Sequence, residues 1–403
     1  MNHENSHNTF YGLGIAPGIL DVLDRMKFVT PTPIQFKAIP VAIEGKDLVG
    51  IAQTGTGKTL AFGIPMVQRL AQVPGKALVL VPTRELAIQV DEALRSVGQP
   101  FNIRTAVLIG GMNMGTQIQV IRKSTTRIIV ATPGRLLDHI QQKTIHLNDV
   151  KMVVLDEADR MLDMGFAPQI QRVMQSLPRD RQTLLFSATM PDDIVRIATQ
   201  YMKLPIRVEV ARAGTAAEKV IQELFIVKQE SKRELLLKLL KQYHGSVLIF
   251  ARTKIGAQKL TRALREAHNP AAEIHSDRSL GQRREALEGF KMGRYRILVA
   301  TDIAARGIDV KGIELVINYD LPDDSENYVH RIGRTGRAGH EGRAISLATP
   351  DQSSQVRDIE RLMRTTLAVA SHPEIPPANF FKPVVVASYK PSRFGARRAR
   401  RRR

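Results

Sequence analysis

A glycine-rich segment, AQTGTGKT at residues 52–59, carries the strongest chemical signal in the chain. It follows an apolar run that predicts a strand and precedes a helical pattern at 60–70, which is the setting of a phosphate-binding loop. Glycines let backbone N–H groups turn toward phosphates, Lys58 adds a positive charge, and the Thr59 hydroxyl can reach Mg²⁺. Ala52 stands where the general pattern has its first glycine. The predicted nucleotide contacts are Thr54, Gly55, Thr56, Gly57, Lys58 and Thr59.

An acidic segment, DEAD at 156–159, follows a second predicted strand, KMVVL at 151–155. Asp156 therefore lies at the carboxyl edge of a strand, where parallel sheets bind ligands. We expect Asp156 to hold Mg²⁺ and Glu157 to orient or deprotonate the water that attacks a γ-phosphate. Acids also stabilise the start of a helix. The company of a phosphate-binding loop favours the catalytic interpretation.

Short β-branched runs alternate with amphipathic stretches along most of the chain, which predicts βαβ units with parallel sheets. A small polar segment at 211–219 separates two such series, so we predict an α/β protein with two domains joined by a linker. Amphipathic helices are predicted at 231–242, with Ser231 as cap, and at 282–290. The clearest strand predictions are 47–51, 77–81, 127–131, 151–155, 183–186, 221–227, 247–250, 296–300, 314–317 and 344–348.

Composition limits the partners and the compartment. The chain has 403 residues, 43% of them hydrophobic, and a net charge of +20, which favours polyanionic partners, namely nucleic acid or an anionic membrane surface. It has no cysteine, and its apolar runs are too short to cross a bilayer, so we predict neither a disulfide framework nor a membrane span. The first residues lack the pattern of an export signal, and we expect a cytoplasmic protein.

The end of the chain, residues 390–403, has eight basic side chains and no acidic one. Such a run repels itself and cannot form a core, so a disordered basic tail is predicted. The tail could anchor RNA, with Tyr389 and Phe394 available to stack on bases. A solubilising end and a nuclear-targeting run are the alternatives.

With AQTGTGKT, the segments DEAD at 156–159, SAT at 187–189 and HRIGRTGR at 330–337 occur in one order along the chain. In this respect the chain resembles a DEAD-box RNA helicase from residue 10 to about 350, and it is most similar to the bacterial RhlE-type subgroup. The resemblance implies two RecA-like domains, each a mainly parallel sheet flanked by helices, with ATP and Mg²⁺ as cofactors. The implied divisions are domain 1 at 1–210, linker 211–219, domain 2 at 220–368 and the tail 369–403.

The resemblance also implies how ATP is read and cleaved. A Q motif, matched by Phe28, Thr32, Pro33, Ile34 and Gln35 with Phe10 upstream, would read adenine, although Lys27 replaces the usual glycine. Arg334 and Arg337 match arginine fingers, which spread positive charge over the transition state. Further implied roles are nucleotide contact by Gly307 and Asp309, and coupling of ATP to RNA by Ser187, Thr189 and His330.

RNA contacts are implied at loops of both domains, where glycines, hydroxyls and arginines suit a phosphodiester backbone without reading bases. In domain 1 they are Pro82, Thr83, Arg84, Gly110, Gly111, Thr132, Pro133, Gly134 and Arg135. In domain 2 they are Arg252, Thr253, His275, Asp277, Arg283, Thr301 and Asp302. Here Ser276 replaces a usual glycine and Leu280 replaces a usual glutamine.

The function implied is an ATP-dependent RNA helicase that closes on ATP and single-stranded RNA and unwinds duplexes locally, without sequence preference. Two alternatives stay open at this point: an ATP-gated RNA clamp with little turnover, and a DNA-directed ATPase. Partners from ribosome assembly or RNA degradation are plausible for the family.

Overall fold

The computed structural model describes residues 9–53, 55–210, 220–305, 310, 312–336 and 342–381. Two seven-stranded sheets, each wholly parallel, organise this part of the chain. The strands are β1 Leu48–Ile51, β2 Lys76–Leu80, β3 Arg104–Leu108, β4 Thr126–Ala131, β5 Val150–Asp156, β6 Gln182–Ser187, β7 Ile206–Glu209, β8 Val220–Ile226, β9 Val247–Phe250, β10 Ala271–Ile274, β11 Ile297–Ala300, β12 Leu315–Asn318, β13 Gly342–Ala348 and β14 Ala368–Ala370.

Helices alternate with these strands and cover both faces of each sheet. They are α1 Pro17–Arg25, α2 Pro33–Ile43, α3 Lys58–Gln72, α4 Arg84–Gly98, α5 Met114–Ile121, α6 Pro133–Gln141, α7 Ala158–Asp163, α8 Ala167–Gln175, α9 Asp192–Tyr201, α10 Lys232–Gln242, α11 Lys254–Glu266, α12 Leu280–Lys291, α13 Asp302–Ala305, α14 Ser325–Ile332 and α15 Ser353–Met363. Among the residues described, no helix is long and apolar enough to cross a membrane.

Burial on both faces explains the apolar strand sequences. In β2, Ala77 and Val79 belong to the core cluster on one face, whereas Leu78 and Leu80 belong to the cluster on the other. A strand between two helical layers is therefore apolar along the run that both layers cover. The second sheet is enclosed in the same way by two further clusters. The prediction of an α/β protein with two such domains is confirmed.

The two sheets share one topology. The first has the order β3-β4-β2-β5-β6-β1-β7 and the second β10-β11-β9-β12-β13-β8-β14, so each strand has a counterpart seven places along the chain. In both sheets, the carboxyl ends of all strands lie at one edge because every pairing is parallel. This edge is where the predicted functional loops lie.

The structure differs from the sequence-based expectations in three places. Ser231 makes no capping hydrogen bond through its side chain, and a short 3₁₀ turn at Gln229–Ser231 leads into α10 instead. Strands β3, β7, β10 and β14 were not among the predicted runs, since they are short and rich in Arg, Glu or Ala. Finally, β14 pairs with β8, so the predicted end of domain 2 at residue 368 falls inside a strand.

Candidate nucleotide and RNA site

The phosphate-binding loop connects β1 to α3. Gly55 and Gly57 have φ of +81° and +87°, in the left-handed region that favours glycine. A Cβ atom at Gly57 would also collide with the side-chain amide of Gln35. The helix begins at Lys58, so its first N–H groups, which have no partner within the helix, lie at the loop.

Lys58 is held inside this loop. Its side chain is 6% exposed, and its Nζ donates to the Ala52 carbonyl oxygen at 3.1 Å. The Thr56 hydroxyl donates to the Gln53 carbonyl oxygen at 2.7 Å, which curls the loop further. A buried ammonium beside helical N–H groups fits the β- and γ-phosphates of a nucleotide.

The Q-motif residues lie against the same loop. The Gln35 amide donates to the Gly57 carbonyl oxygen at 3.0 Å and accepts from the Thr32 N–H at 2.8 Å. Gln35 thereby caps α2 and fastens it to the phosphate loop, and the adenine contact implied by the resemblance stays a prediction. Phe28 is 38% exposed, so a ring face is available for stacking. Phe10 is 2% exposed within the first core cluster, which makes it a packing residue.

Lys27, where the family usually has glycine, has φ of +61°. This left-handed position follows α1, and the Lys27 N–H donates to the Asp24 carbonyl oxygen at 2.9 Å. Glycine is the usual residue after a helix that ends in this way. Lys27 therefore holds a left-handed conformation that glycine would adopt at a lower conformational energy.

Asp156 and Glu157 follow β5, beside the phosphate loop, because β6 is paired with both β5 and β1. Burial raises the pKa of Asp156 to about 6, although the charge of Lys58 opposes the rise. Burial disfavours the ionised form of a carboxyl group, and a bound divalent cation stabilises that form. The position of Asp156 therefore fits a ligand of Mg²⁺. Within the described residues, no three His, Cys, Asp or Glu side chains form a metal cage of their own.

Glu157 is a non-glycine residue with φ of +52°. Its side chain is 6% exposed, and one oxygen accepts from Arg160 Nη1 at 2.6 Å. Burial would raise the Glu157 pKa, but Arg160, Lys58 and Arg334 outweigh it and hold the pKa below its ordinary value. Strained backbone and a buried, ionised carboxylate are features of sites that act on a ligand.

Asp159, which the sequence interpretation did not name, connects this acidic segment to SAT. Its carboxylate accepts from the N–H groups of Ala188 and Thr189 at 2.9 and 3.0 Å and from the Thr189 hydroxyl at 3.1 Å. Its own N–H donates to the Ser187 hydroxyl at 3.3 Å. These hydrogen bonds join the two segments, and no spacing in the sequence indicates the pairing, because it is made largely through backbone N–H groups.

Arg334 belongs to domain 2, after α14, and is 5% exposed. Its charge lowers the pKa of Glu157 in domain 1, so the structure brings the two together. Nearby, the Arg331 guanidinium donates two hydrogen bonds to the Asp302 carboxylate, at 2.6 and 2.7 Å. Arg331 was not predicted, and it positions Asp302, whose implied RNA contact stays a prediction.

In domain 1, the implied RNA-contacting loops follow β2, β3 and β4, which are adjacent strands. The Arg84 side chain lies under the two glycines, so that a Cβ at Gly110 would be 3.0 Å from its Nη2. Thr83 caps α4 by accepting from the Leu86 N–H at 3.2 Å. Arg135 donates to the Met112 carbonyl oxygen at 3.0 Å, while a Cβ at Gly134 would meet open space. Pro82 is buried beside Thr83, and Thr132 and Pro133 begin α6.

In domain 2, the equivalent loops follow β9, β10 and β11, again adjacent. Thr253 caps α11, and Asp277 pairs with Lys254 at 2.9 Å. The Arg252 guanidinium is 3.4 Å from Asp323. His275 is buried, whereas Thr301 is half-buried. These loops share one edge as expected, and their RNA contacts stay predictions.

Arg283 has a different neighbourhood from the one expected. Its guanidinium is 2.8 Å from the carboxylate of Glu85 in domain 1, and both side chains are nearly buried. Leu280, the departure from the usual glutamine, packs against the first core cluster of domain 1. The start of α12 thus contacts the start of α4 across the two domains. Glu85, in the segment PTRELA, was not predicted to have a role.

Four predicted site residues, Thr54, Gly307, Asp309 and Arg337, lie outside the described residues, as do the linker 211–219 and the basic run 390–403. His330 lies in α14, half-buried, in the turn before Arg334.

Comparisons with known proteins agree with this geometry. Residues 32–197 match the family model described as DEAD/DEAH box helicase, and residues 231–339 match the helicase conserved C-terminal domain. The chain is 44% identical over 371 residues to the DEAD-box ATP-dependent RNA helicase CshA of Bacillus subtilis, covering 91% of this chain and 75% of that protein. This chain is a member of the DEAD-box RNA helicase family.

Other helicases are similar over both domains. The ATP-dependent rRNA helicase RRP3 of Yarrowia lipolytica is 43% identical over 350 residues, which cover 86% of this chain and 73% of RRP3. CshA and RRP3 proteins are among the relatives that match, and they do not support the RhlE-type subgroup predicted from the motifs.

Two solved structures have a similar arrangement of the two domains. Saccharomyces cerevisiae Dbp5 bound to RNA and ADP BeF3 superposes with a TM-score of 0.81 at 31% identity, covering 90% of this chain and 95% of that one. Mss116 bound to single-stranded RNA and AMP-PNP gives 0.83 at 28% identity, with 92% and 81% covered. Scores this high over both domains require similar domain placement. In this placement, the Arg283 to Glu85 pair is a contact between the two domains.

Proposed function

We propose that this protein is an ATP-dependent RNA helicase in which ATP and RNA together close the two domains and complete the hydrolytic site. The observation that supports this most directly is the surroundings of Glu157. The pKa of its carboxyl group is lowered by the charges of Arg160 and Lys58 from domain 1 and of Arg334 from domain 2. Because these cations come from both domains, the site is complete only when the domains meet.

Each side chain has a task that its position suits. Lys58 and the first turn of α3 bind the phosphates, and Asp156 with Thr59 would hold Mg²⁺, which supplies charge neutralisation at the phosphates when bound. Glu157, kept ionised by its neighbours, accepts the proton of the attacking water or orients it. Arg334 adds positive charge where negative charge develops in the transition state.

Separation of strands follows from the same closure. RNA-contacting loops on β2, β3 and β4 and on β9, β10 and β11 come to one face when the domains meet. Asp159 transmits the state of the DEAD segment to SAT through its three accepted hydrogen bonds. Phosphate contacts without base reading give binding that is independent of sequence. Unwinding is then local, since one closure deforms only the RNA between the domains.

ATP turnover by the purified chain tests this proposal, measured without nucleic acid, with single-stranded RNA and with DNA of the same sequence. Glu157→Gln keeps the shape of the side chain and removes the base, so it serves as the blank. We expect strong stimulation by RNA, little by DNA, and turnover in the variant at least about 10²-fold lower. Stimulation by DNA alone would indicate a DNA-directed ATPase. RNA binding without turnover in the wild type would indicate a clamp.

Strand displacement with duplexes of increasing length tests the local character of unwinding. The rate should fall steeply with duplex length. Efficient displacement of long duplexes would contradict the proposed mechanism, because it would require repeated stepping along one strand.

A further inference from the structure

A row of cations runs along the edge of the first sheet opposite to the catalytic edge. Every one of its seven strands has a Lys or Arg within two residues of its first position. In sheet order they are Arg104, Arg127, Lys76, Lys151, Arg181, Lys46 and Arg207. Since the strands are parallel, these positions share one edge. Neighbouring strands are about 4.8 Å apart, so the row is about 29 Å long.

Two grooves follow this row, and together we call them the amino-edge groove. Their volumes are about 660 and 490 Å³. They meet where Lys151 of one lies against Gly75 of the other, since a Cβ at Gly75 would be 2.7 Å from the Lys151 side chain. Among the described residues, nine Lys or Arg and three Asp line the two grooves: Lys46, Arg69, Lys76, Arg122, Lys123, Arg127, Lys151, Arg181, Lys203, and Asp47, Asp149, Asp180.

Part of this charge has a structural role. Arg127 donates to the carbonyl oxygens of Leu70 and Val73 at the end of α3. Lys76 pairs with Asp149 at 2.9 Å, and Lys46 pairs with Glu44 at 2.6 Å. Cations at the ends of helices stabilise their exposed carbonyls.

Another part has no such explanation. The side chains of Arg69, Arg122, Lys123 and Lys151 make no hydrogen bond or ion pair with any residue that the structure describes. The Nε atoms of Arg69 and Arg181 are buried in the groove without an acceptor. A buried donor without a partner is costly, and an anionic ligand would satisfy it.

The second domain serves as an internal comparison, because its sheet has the same strand order. Only three of its seven strands have a Lys or Arg in the same window, namely Lys219, Arg296 and Arg343. Arg296 donates to the carbonyl oxygens of Tyr243 and Leu240, and Arg343 bonds the Tyr243 hydroxyl. The fold therefore does not require a cationic row at this edge.

We propose that the amino-edge groove binds the phosphate backbone of duplex RNA that flanks the strand held between the domains. A long cationic row interrupted by few carboxylates fits a polyanion rather than a single phosphate. The described residues that line the groove include no Phe, Tyr or Trp. Many single-strand sites stack bases on aromatic rings, which this lining does not offer, whereas a duplex presents phosphates and grooves to its partner, so we favour a duplex.

The location suits such a flank. One of the two grooves is formed at the amino ends of β4 and β2, whose carboxyl ends lead into the predicted RNA-contacting loops. The strands have four to seven residues in this sheet, so the two edges are about 13–23 Å apart. A duplex leaving the catalytic edge can therefore reach the groove around the side of domain 1. This inference rests on RNA being the substrate.

The test is RNA affinity as a function of salt for the triple variant Lys123→Gln/Lys151→Gln/Lys203→Gln. The matched control, Lys228→Gln/Lys241→Gln/Lys259→Gln, removes the same charge from exposed positions of domain 2. Each protein is measured with a short single strand and with the same strand joined to a hairpin, both with a non-hydrolysable ATP analogue. Three lost phosphate contacts should reduce the log affinity against log salt slope for the hairpin RNA by about 2 to 3.

We expect this reduction for the groove variant alone and for the hairpin RNA alone, with unchanged RNA-stimulated turnover on the short strand. Equal slopes for the groove variant and the control would overturn the inference. An equal loss of slope on both RNAs would also overturn it, because the lysines would then act through the site between the domains. Failure of the wild type to bind the short strand would instead contradict the proposed function. Melting temperatures of the variants, all at surface lysines, verify that they fold.

Discussion

The two domains of this helicase have the same strand order, but different residues follow the strands at the carboxyl edge of each sheet. In domain 1, β1 leads into the phosphate loop and β5 into Asp156 and Glu157. In domain 2, the counterparts β8 and β12 lead into Val227 and Tyr319, without a glycine-rich loop or an acidic pair. Domain 1 can thus bind a nucleotide, whereas domain 2 adds Arg334 to it.

This division teaches why hydrolysis is tied to motion. A site with its phosphate cradle, base and finger in one domain could hydrolyse ATP without RNA. Here Arg334, the proposed finger, is 177 residues further along the chain than Glu157, the proposed base, and lies in the other domain. Under the proposed function, ATP turnover therefore reports domain closure, which RNA binding to both sets of loops would favour.

The largest effect is expected for Arg334→Ala, which removes the contribution of domain 2. RNA-stimulated kcat should fall by about 10³-fold or more, because arginine fingers contribute that much to phosphoryl transfer. ATP affinity without RNA should change little, since domain 1 holds the phosphates. Arg357→Ala, at an exposed arginine of α15, is the control. A kcat within tenfold of the wild type would mean that the two domains do not share the site.

Lys58→Ala removes a positive charge that domain 1 offers to the phosphates and should weaken ATP binding. The β- and γ-phosphates lose a charged hydrogen bond worth about 1.5–3 kcal/mol, so ATP affinity should fall about 10- to 100-fold. Titration with a fluorescent ATP analogue measures this without RNA. Lys291→Ala, at an exposed lysine of domain 2, is the matched control. Unaltered affinity would refute the assignment of the phosphate loop.

The contact between the domains can be tested by exchanging charges. Glu85→Arg and Arg283→Glu, each alone, should lower RNA-stimulated kcat/KM about tenfold, since a nearly buried charge loses its partner in the closed arrangement. The double exchange should recover most of the loss. If Arg283 instead binds an RNA phosphate, as the resemblance implies, the double exchange stays impaired and its RNA affinity depends less on salt.

Much of this architecture could be predicted from the sequence, for identifiable reasons. The strands that were predicted have an apolar central run because helices cover both faces, as in residues 77–80 of β2 and 152–155 of β5. The phosphate loop is set by local backbone demands at Gly55 and Gly57, which a short motif records. A sequence motif could thus predict those features that depend on neighbouring residues within one domain.

The parts that were missed depend on distant pairs. Glu85 and Arg283 are far apart in sequence, and each by itself is one charged residue among many. Asp159 has its role only through the backbone N–H groups after β6. The amino-edge groove becomes visible only when strand order places scattered lysines in one row. No local periodicity records such relations.

The smallest expected effect is a pH dependence of stability, which each domain owes in part to one buried histidine. His139 in domain 1 is buried, with ring nitrogens 2.8 Å from the Thr144 hydroxyl and 3.3 Å from the Gln117 amide oxygen, and His275 is buried in domain 2. Burial lowers the pKa of both rings below 6.5 in the folded state. The unfolded chain then binds more protons at low pH, so this stabilisation is present above about pH 6.5 and is lost as the pH falls.

Each histidine can cost at most about 1.36 kcal/mol of unfolding free energy per pH unit below that point. Melting temperatures between pH 5 and 8 should therefore fall on the acid side, and His139→Gln should flatten the fall for domain 1 while His275→Gln flattens it for domain 2. If a single transition responds equally to both substitutions, the domains unfold as one unit, and the contact between Glu85 and Arg283 is strong enough to couple them. If neither substitution changes the pH dependence, then groups other than these two rings take up the protons.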